Sequence, residues 1–212
     1  MSHVLAPALA RGLAALGLTL DGAQQQQLLA YLDLLVKWNK VYNLTAVREP
    51  EQMLTQHLLD CLAIIQPLKQ RMPQLKTLLD VGAGGGLPAV VLAIACPDVA
   101  VTAVDTVAKK AAFIQTVAHA LGLPNLKGVH ARVEDLTGPH DLITSRAFAS
   151  LVDFVQGSRQ ALAPEGVWMA MKGRHPADEL AALPEGVRVE QVQTLEVPGL
   201  DAERCVVWMV LG

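Results

Sequence analysis

Two patterns of apolar residues divide the chain. Before about residue 70 the apolar residues recur every three or four positions, as between Leu28 and Val36, which is typical of helices that bury one face. From Thr77 onward short apolar runs alternate with longer helical stretches, a pattern typical of a parallel sheet flanked by helices. We therefore predict an N-terminal helical extension over residues 1–70 and an α/β domain over residues 71–212.

The helical extension contains three predicted helices. Apolar spacing predicts the first over 4–16, and Asp21 with Gln24 forms a capping box for a second helix that runs to about Lys40. Pro50 begins the third helix, whose apolar positions continue to Ile65. We expect these helices to pack on the α/β domain through their apolar stripes.

Seven strands are predicted after the helices. Five of them belong to the alternating part of the chain, and two closing β-rich runs, 187–197 and 205–211, add an antiparallel edge. The first five strands are predicted at 77–81, 99–104, 126–130, 141–145 and 166–171, with helices at 87–95, 107–121 and 150–162. The expected fold is a Rossmann-like, mostly parallel seven-stranded sheet with helices on both faces.

A glycine turn follows the first predicted strand. Asp80 lies near the end of this strand, and glycines at 82, 84, 85 and 86 remove every Cβ where the backbone must bend, so that N–H groups can approach a polar or anionic ligand. The next strand leads to Asp105, about twenty residues later, where nucleotide-binding folds hold a ribose. A glycine turn alone is equally compatible with a loop that binds nothing, and the acid at this spacing favours a ligand site.

The spacing of these glycines distinguishes between nucleotide-binding motifs. The G-x-G-x-G series after Asp80 resembles motif I of the class I S-adenosylmethionine-dependent methyltransferases and departs from the dinucleotide pattern G-x-G-x-x-G. No lysine follows the glycines, which argues against a P-loop nucleotide triphosphatase.

Other candidate residues lie where later strands end, because ligands of open parallel sheets bind at the carboxyl ends of the strands. Val133 and Glu134 follow the third strand, although Glu134 is also compatible with a surface acid at a helix start. Arg146 follows the fourth strand, where a guanidinium is expected to meet an anion or a carboxylate. Lys172 follows the fifth strand.

Composition narrows the class of protein. The 212 residues are 52% hydrophobic and 17% charged, which predicts a globular chain with a substantial core. We find no apolar run long enough for a membrane span and no signal peptide, and we expect a cytoplasmic location. The net charge of −3 argues against a broad basic nucleic-acid-binding face but permits a small basic patch.

Several segments together resemble one family, the bacterial small-subunit ribosomal RNA guanine-N7 methyltransferases RsmG, also called GidB. The resemblance covers nearly the whole chain, and the combination of segments is more specific than any one of them. The matching segments are 37–45 (KWNKVYNLT), 57–60 (HLLD), 80–88 (DVGAGGGLP), 132–134 (RVE), 145–149 (SRAFA), 172–173 (KG) and 197–204 (VPGLDAER).

The resemblance implies a class I methyltransferase fold and methylation of guanine N7 in 16S ribosomal RNA, within the small ribosomal subunit or its precursor, by a monomer. It implies S-adenosylmethionine as cofactor and no metal. The implied cofactor contacts, together with the glycines of the turn and the ribose acid, are Gly82, Gly84, Gly86, Leu87, Asp105, Val133, Glu134 and Arg146, and the candidate catalytic residues are Arg146 and Lys172.

The resemblance leaves the RNA contacts open. Trp38, Tyr42 or Phe148 would stack on a base, and phosphates would be met by some of Lys37, Lys40, Arg48, Lys109, Arg132, Lys172 and Arg174. Guanine N7 carries a free lone pair at neutral pH, so this chemistry requires positioning and no general base. Two alternatives remain: a methyltransferase acting on a small metabolite, and a non-catalytic nucleotide-binding domain associated with ribosomal particles.

Overall fold

A computed structural model describes residues 3–212 of the chain. Its N-terminal part consists of helices, as predicted. Helix α1 spans Ala6–Ala15 and α2 spans Gly22–Tyr42. The predicted capping box is present, because the side chain of Asp21 accepts a hydrogen bond from the Gln24 N–H and the Gln24 side chain accepts one from the Asp21 N–H.

The third predicted helix is less regular than expected. It starts as α3 at Pro50–Met53, continues as a π-helix over Leu54–Leu59 and ends as α4 at Asp60–Leu62. Helix α5, Ile65–Arg71, completes the helical part. A π-helical turn contains more residues than an α-helical turn, so it changes the direction in which the following side chains point.

Seven strands form one sheet in the order β3-β2-β1-β4-β5-β7-β6. Strands β1 to β5 run parallel, and β7 lies antiparallel between β5 and β6. The mostly parallel seven-stranded sheet with an antiparallel edge is therefore confirmed. The strands are β1 Thr77–Val81, β2 Ala100–Asp105, β3 Leu126–His130, β4 His140–Arg146, β5 Leu162–Lys172, β6 Val187–Leu195 and β7 Arg204–Leu211.

Four helices connect the strands: α6 Ala89–Ala95, α7 Ala108–Ala120, α8 Leu151–Ser158 and α9 Ala177–Ala181. The prediction of a helix to residue 162 was wrong. Helix α8 ends at Ser158, a 3-10 turn follows, and β5 already begins at Leu162, which pairs with His140 of β4. Pro164 cannot continue a helix, which favours the early change to strand. Helix α9 was not predicted.

Helices cover both faces of the sheet, as predicted. On one face, the N-terminal helices share a continuous buried cluster with α6 and α7, in which Tyr31, Leu35 and Phe113 are among the buried side chains. On the other face, Phe154 of α8 and Trp168 of β5 belong to a second cluster. Because the N-terminal helices share their core with the sheet, the boundary at residues 70 and 71 stays a prediction.

Candidate active site

The chain turns sharply after β1 through three left-handed glycines. Gly82, Gly84 and Gly86 have φ angles of +69°, +57° and +87°, a region that residues with a Cβ rarely adopt. Gly86 is also crowded, since a Cβ there would lie 2.6 Å from Cγ2 of Val90. The local backbone of this turn therefore requires glycine for conformation and, at Gly86, for space.

Two buried side chains hold the turn in place. The Tyr31 hydroxyl donates a hydrogen bond of 2.6 Å to the carbonyl oxygen of Gly85. Asp105, at the end of β2, accepts a hydrogen bond of 2.9 Å from the Gly84 N–H through Oδ2 and another of 2.9 Å from the Val107 N–H through Oδ1. The acid predicted from its spacing to the glycines is therefore bonded directly to the glycine turn.

A cleft of about 400 Å³, here called the first cleft, opens at the carboxyl ends of the parallel strands. Small-molecule sites are typically about 300–1,000 Å³, so this volume suits a nucleoside-sized ligand. Five of the predicted cofactor residues line it, namely Gly82, Asp105, Val133, Glu134 and Arg146.

The other three predicted cofactor residues do not line the first cleft. Gly84 and Gly86 shape the turn beneath it. The side chain of Leu87 is buried in the core that the N-terminal helices share with the sheet.

Val133 and Glu134 enter the first cleft on a 3-10 turn that spans Val133–Asp135. Val133 is buried, whereas Glu134 is exposed and lies 3.4 Å from Nη2 of Arg132. An apolar side chain and an exposed acceptor next to each other suit the flat face and the polar edge of a heterocyclic base.

Arg146 meets a carboxylate of the protein itself. Its Nη1 donates hydrogen bonds of 3.0 Å to Oδ2 of Asp60 and 3.0 Å to the carbonyl oxygen of Gln56. The other oxygen of Asp60 accepts a hydrogen bond of 2.8 Å from Nε of Arg204. The sequence predicted a partner for Arg146, and the partner is a buried aspartate that also binds a second arginine.

The positions of Asp60 and Arg204 relative to Arg146 were not predicted. Asp60 is 86 residues from Arg146 and 144 residues from Arg204 in the chain, so no local pattern relates them. The only available signal was that both lie in segments that resemble the methyltransferase family.

A second cleft, of about 390 Å³, lies beside the first, and Arg146 and Ala147 line both. Lys172 and Arg204 also line the second cleft. The Lys172 ammonium is 2.9 Å and 2.7 Å from the two carboxylate oxygens of Glu179, so its charge is already paired. Of the two candidate catalytic residues, Arg146 therefore borders both clefts and Lys172 borders only the second.

His57 also lines the second cleft, and its ring is held by hydrogen bonds. Its Nε2 lies 2.7 Å from the Thr45 hydroxyl, and its Nδ1 lies 2.9 Å from the carbonyl oxygen of Gln56. Burial, together with the nearby Arg146 guanidinium, lowers the pKa of His57 to about 4. The imidazole is therefore neutral at pH 7 and a poor proton acceptor.

Asp80, the acid before the glycine turn, is completely buried. Its Oδ2 accepts a hydrogen bond of 3.1 Å from the Ala89 N–H, whereas its Oδ1 has no hydrogen-bond partner among residues 3–212. Burial raises the pKa of Asp80 to about 8. The carboxyl group thus lies in an environment that disfavours its charge.

Metal-binding and membrane-spanning features are both absent from the described part of the chain. Residues 3–212 contain no group of three or more His, Cys, Asp or Glu side chains placed to hold a metal ion. In the same range, no helix combines the length and the apolar character needed to cross a membrane.

Comparison with known proteins gives consistent matches. Residues 24–207 match the family model described as GidB, rRNA small subunit methyltransferase G. A ribosomal RNA small subunit methyltransferase G from Acidovorax sp. strain JS42 is 61% identical over 211 residues, covering 95% of this chain and 93% of that protein. The protein of the same name from Methylibium petroleiphilum is 58% identical over 210 residues, covering 98% and 95%.

Solved structures match the fold at low sequence identity. A SAM-dependent methyltransferase from Aquifex aeolicus superposes with a TM-score of 0.56 at 20% identity, covering 76% of this chain and 93% of that one. TrmN from Thermus thermophilus has the same TM-score and identity, with coverage of 75% and 53%. The chain thus has the fold of S-adenosylmethionine-dependent methyltransferases.

Proposed function

Because the chain belongs to the ribosomal RNA small subunit methyltransferase G family, we propose that it methylates N7 of a guanine in 16S ribosomal RNA with S-adenosylmethionine as methyl donor. The substrate is the small ribosomal subunit or its precursor, and the enzyme acts in the cytoplasm as a monomer. The observation that carries the proposal is the first cleft, where a glycine turn and Asp105 meet beside Arg146.

The residues around the first cleft fit an adenosine-containing cofactor. The turn presents backbone without side chains at Gly82, and the Asp105 carboxylate retains lone pairs that can accept hydrogen bonds from ribose hydroxyls. Val133 and Glu134 would contact the adenine, and Arg146 would contact the methionine part. When bound, S-adenosylmethionine would supply the methyl group from its sulfonium, and the leaving group would be the neutral thioether.

The second cleft is the proposed place of the acceptor base, because it adjoins the first through Arg146 and Ala147. Arg146 and Lys172 remain the proposed catalytic residues. The ion pairs of Arg146 with Asp60 and of Lys172 with Glu179 hold both cationic side chains in fixed positions. Their role is to orient the acceptor so that its lone pair points at the methyl group.

The proposed chemistry requires no general base. The imidazole that lines the second cleft belongs to His57, whose pKa of about 4 makes it a weak base at neutral pH. Guanine N7 needs no deprotonation before it attacks. We therefore expect the single-turnover rate at saturating cofactor to be nearly constant between about pH 6 and about pH 9. An acid limb with a slope near one, abolished by changing a single nearby acid or histidine, would contradict this mechanism.

The proposed activity is tested with small ribosomal subunits and 16S RNA from a strain that lacks the gene. Incubation with S-adenosylmethionine should add one methyl group to guanine N7, located by mass spectrometry, and free guanosine should not react. A methyltransferase acting on small metabolites would methylate guanosine or another small acceptor and leave the RNA unchanged. A non-catalytic nucleotide-binding domain would show no methyl transfer and weak or absent cofactor binding.

The proposed cofactor site is tested by calorimetry of two variants. Gly84→Val should distort the turn because the φ of +57° disfavours a β-branched residue, and Asp105→Ala should remove both the ribose acceptor and the bond to Gly84. We expect each folded variant to lose more than tenfold in affinity for S-adenosylmethionine, which is at least about 1.4 kcal/mol. Binding within about threefold of wild type in both would show that the cofactor lies elsewhere.

A further inference from the structure

The end of α2 exposes positive and apolar side chains on one side. Lys37, Lys40 and Val41 are spaced so that they lie on the same face of the helix, and all three are exposed. Val41 is 71% exposed, which is unusual for a valine in an ordered helix. This face therefore has no partner within residues 3–212.

The neighbouring face of α2 carries two aromatic rings that bring a third lysine to the same surface. The rings of Trp38 and Tyr42 stack at 5.1 Å, and Trp38 also packs on Phe113 of α7 at 5.4 Å. The Lys109 ammonium lies 5.8 Å from the centre of the Tyr42 ring, within cation–π range. We call Lys37, Trp38, Lys40, Tyr42 and Lys109 the lysine–aromatic patch.

Among the residues that the structure describes, the three lysines of the patch have no carboxylate partner, unlike Lys110 and Lys172, which line the clefts. No ion pair joins Lys37, Lys40 or Lys109 to a carboxylate in the part of the chain from residue 3 to 212. Lys110 lies 3.9 Å from Asp105 and Lys172 is bound by Glu179. On a chain with net charge −3, the patch is a local concentration of free positive charge.

The patch borders the first cleft. Val107 and Lys110, on either side of Lys109 in the sequence, both line that cleft. After α2 the chain packs directly on the glycine turn, since a Cβ at Gly85 would lie 3.6 Å from Cβ of Leu44. A polyanion bound on the patch would therefore reach the rim of the first cleft.

We infer that the lysine–aromatic patch binds the sugar–phosphate backbone of single-stranded RNA at the rim of the first cleft. This rests on the proposed function for the identity of the RNA. Three exposed ammonium groups can neutralise backbone phosphates, and Val41, beside the patch on α2, offers an apolar contact to a ribose or a base. Tyr42 serves mainly to hold Lys109, because Trp38 stacks on its ring and the Lys109 ammonium lies over it.

The test compares the triple variant Lys37→Gln/Lys40→Gln/Lys109→Gln with wild type. RNA binding is measured by fluorescence anisotropy on a single-stranded fragment of 16S RNA, without S-adenosylmethionine, over a series of salt concentrations. Each phosphate contact on single-stranded RNA contributes about 0.7 to the slope of log affinity against log salt, so the triple variant should lose about 2 from that slope. An unchanged slope would overturn the inference.

A control variant removes two exposed lysines that lie away from the patch. Lys69 lies on α5 and Lys127 near the start of β3, towards the amino ends of the strands. The variant Lys69→Gln/Lys127→Gln should keep the wild-type slope. Tyr42→Ala should weaken RNA binding by releasing Lys109, whereas Tyr42→Phe, which keeps the ring, should bind as wild type does.

Measurements of cofactor binding and of methyl transfer distinguish a failure of this inference from a failure of the proposed function. The triple variant should bind S-adenosylmethionine within about twofold of wild type, and its KM for RNA should rise while kcat stays the same. Absence of methyl transfer in wild type would refute the proposed function and leave the binding measurement valid. If the triple variant bound RNA normally and lost activity only on assembled subunits, the patch would bind a ribosomal protein and the inference would be wrong.

Discussion

Asp60 and Arg146 form an ion pair of 3.0 Å that connects the N-terminal helices to the central strand β4. Asp60 is 2% exposed, and its second oxygen binds Arg204 of β7 at 2.8 Å. One carboxylate thus joins the helical part, a parallel strand and an antiparallel strand. Both arginines line the second cleft, so the same contact sets the geometry of a wall of the proposed acceptor site.

Asp60→Asn should destabilise the protein by leaving two arginines without their shared negative charge. Removing one partner of a fully buried pair costs about 3–5 kcal/mol, and we expect about 2–4 kcal/mol here because the arginines are partly exposed. Urea unfolding measures the loss. Asp33→Asn is the control, since Asp33 is exposed and its only ion-pair partner within residues 3–212 is His3, and it should lower the free energy of unfolding by less than about 1 kcal/mol. Equal, small losses in both variants would show that the Asp60 contacts contribute little.

Three glycine-to-alanine variants distinguish two effects on stability, the strain of a positive φ angle and the crowding of an added Cβ. Gly22 begins α2, and a Cβ added there would meet no atom within 4 Å, so Gly22→Ala should be neutral or slightly stabilising. Gly122 has a φ of +61° and open space, so Gly122→Ala should cost about 1 kcal/mol. Gly86→Ala adds a 2.6 Å contact to a φ of +87° and should cost more, about 2–4 kcal/mol. Thermal unfolding should rank the variants in this order, and a Gly86 variant as stable as the Gly122 variant would contradict the crowding argument.

Tyr31→Phe should loosen the glycine turn. The buried hydroxyl of Tyr31 donates to the carbonyl oxygen of Gly85, and its loss leaves that oxygen without this donor, at a cost of about 1–2 kcal/mol. Affinity for S-adenosylmethionine should fall with it, as measured by calorimetry. Tyr42→Phe removes a hydroxyl from a half-buried ring and should change stability by less than about 0.5 kcal/mol. If the two variants behaved alike, the Tyr31 hydrogen bond would not be supporting the turn.

Asp80 should make the ligand-free protein less stable as the pH rises. Its pKa is raised from 3.8 to about 8 by burial, so the folded state holds a proton that the unfolded state releases between these values. The contribution is fully present below about pH 4 and is lost as the pH approaches about 8. Asp80→Asn cannot ionise, so unfolding free energies measured at several pH values should shift in favour of the variant with rising pH. A difference that does not change with pH would show that Asp80 titrates normally.

Sequence patterns correctly predicted the strands and turns that are determined by neighbouring residues. Apolar runs such as Thr77–Val81 mark buried strands, and the glycine turn with Asp105 combines two short motifs at a fixed spacing. The π-helix at Leu54–Leu59 was not predicted, because its apolar spacing also suits an α-helix. This segment carries His57 and leads directly to Asp60, so the local irregularity concealed how both side chains reach Arg146.

Long-range contacts explain the remainder of what sequence reasoning missed. The link between Asp60 and Arg204 depends on the position of β7 between β5 and β6, which no short pattern specifies. The pairing of Lys172 with Glu179 depends on α9, a five-residue helix too short to produce a recognisable period. Residue types at strand ends therefore predicted that Asp105, Val133, Glu134, Arg146 and Lys172 line the clefts, but not which partners hold them.

The position of β7 inside the sheet makes this strand necessary for the integrity of the fold. Although β7 is last in sequence, it is hydrogen-bonded on both sides, to β5 through Val167–Lys172 and to β6 through Val187–Leu195. A premature stop codon shortly before Arg204 would remove β7, leave β6 without a neighbour in the sheet and expose the edge of β5. Such late nonsense mutations should behave as null alleles, and the truncated chains should be degraded or aggregate.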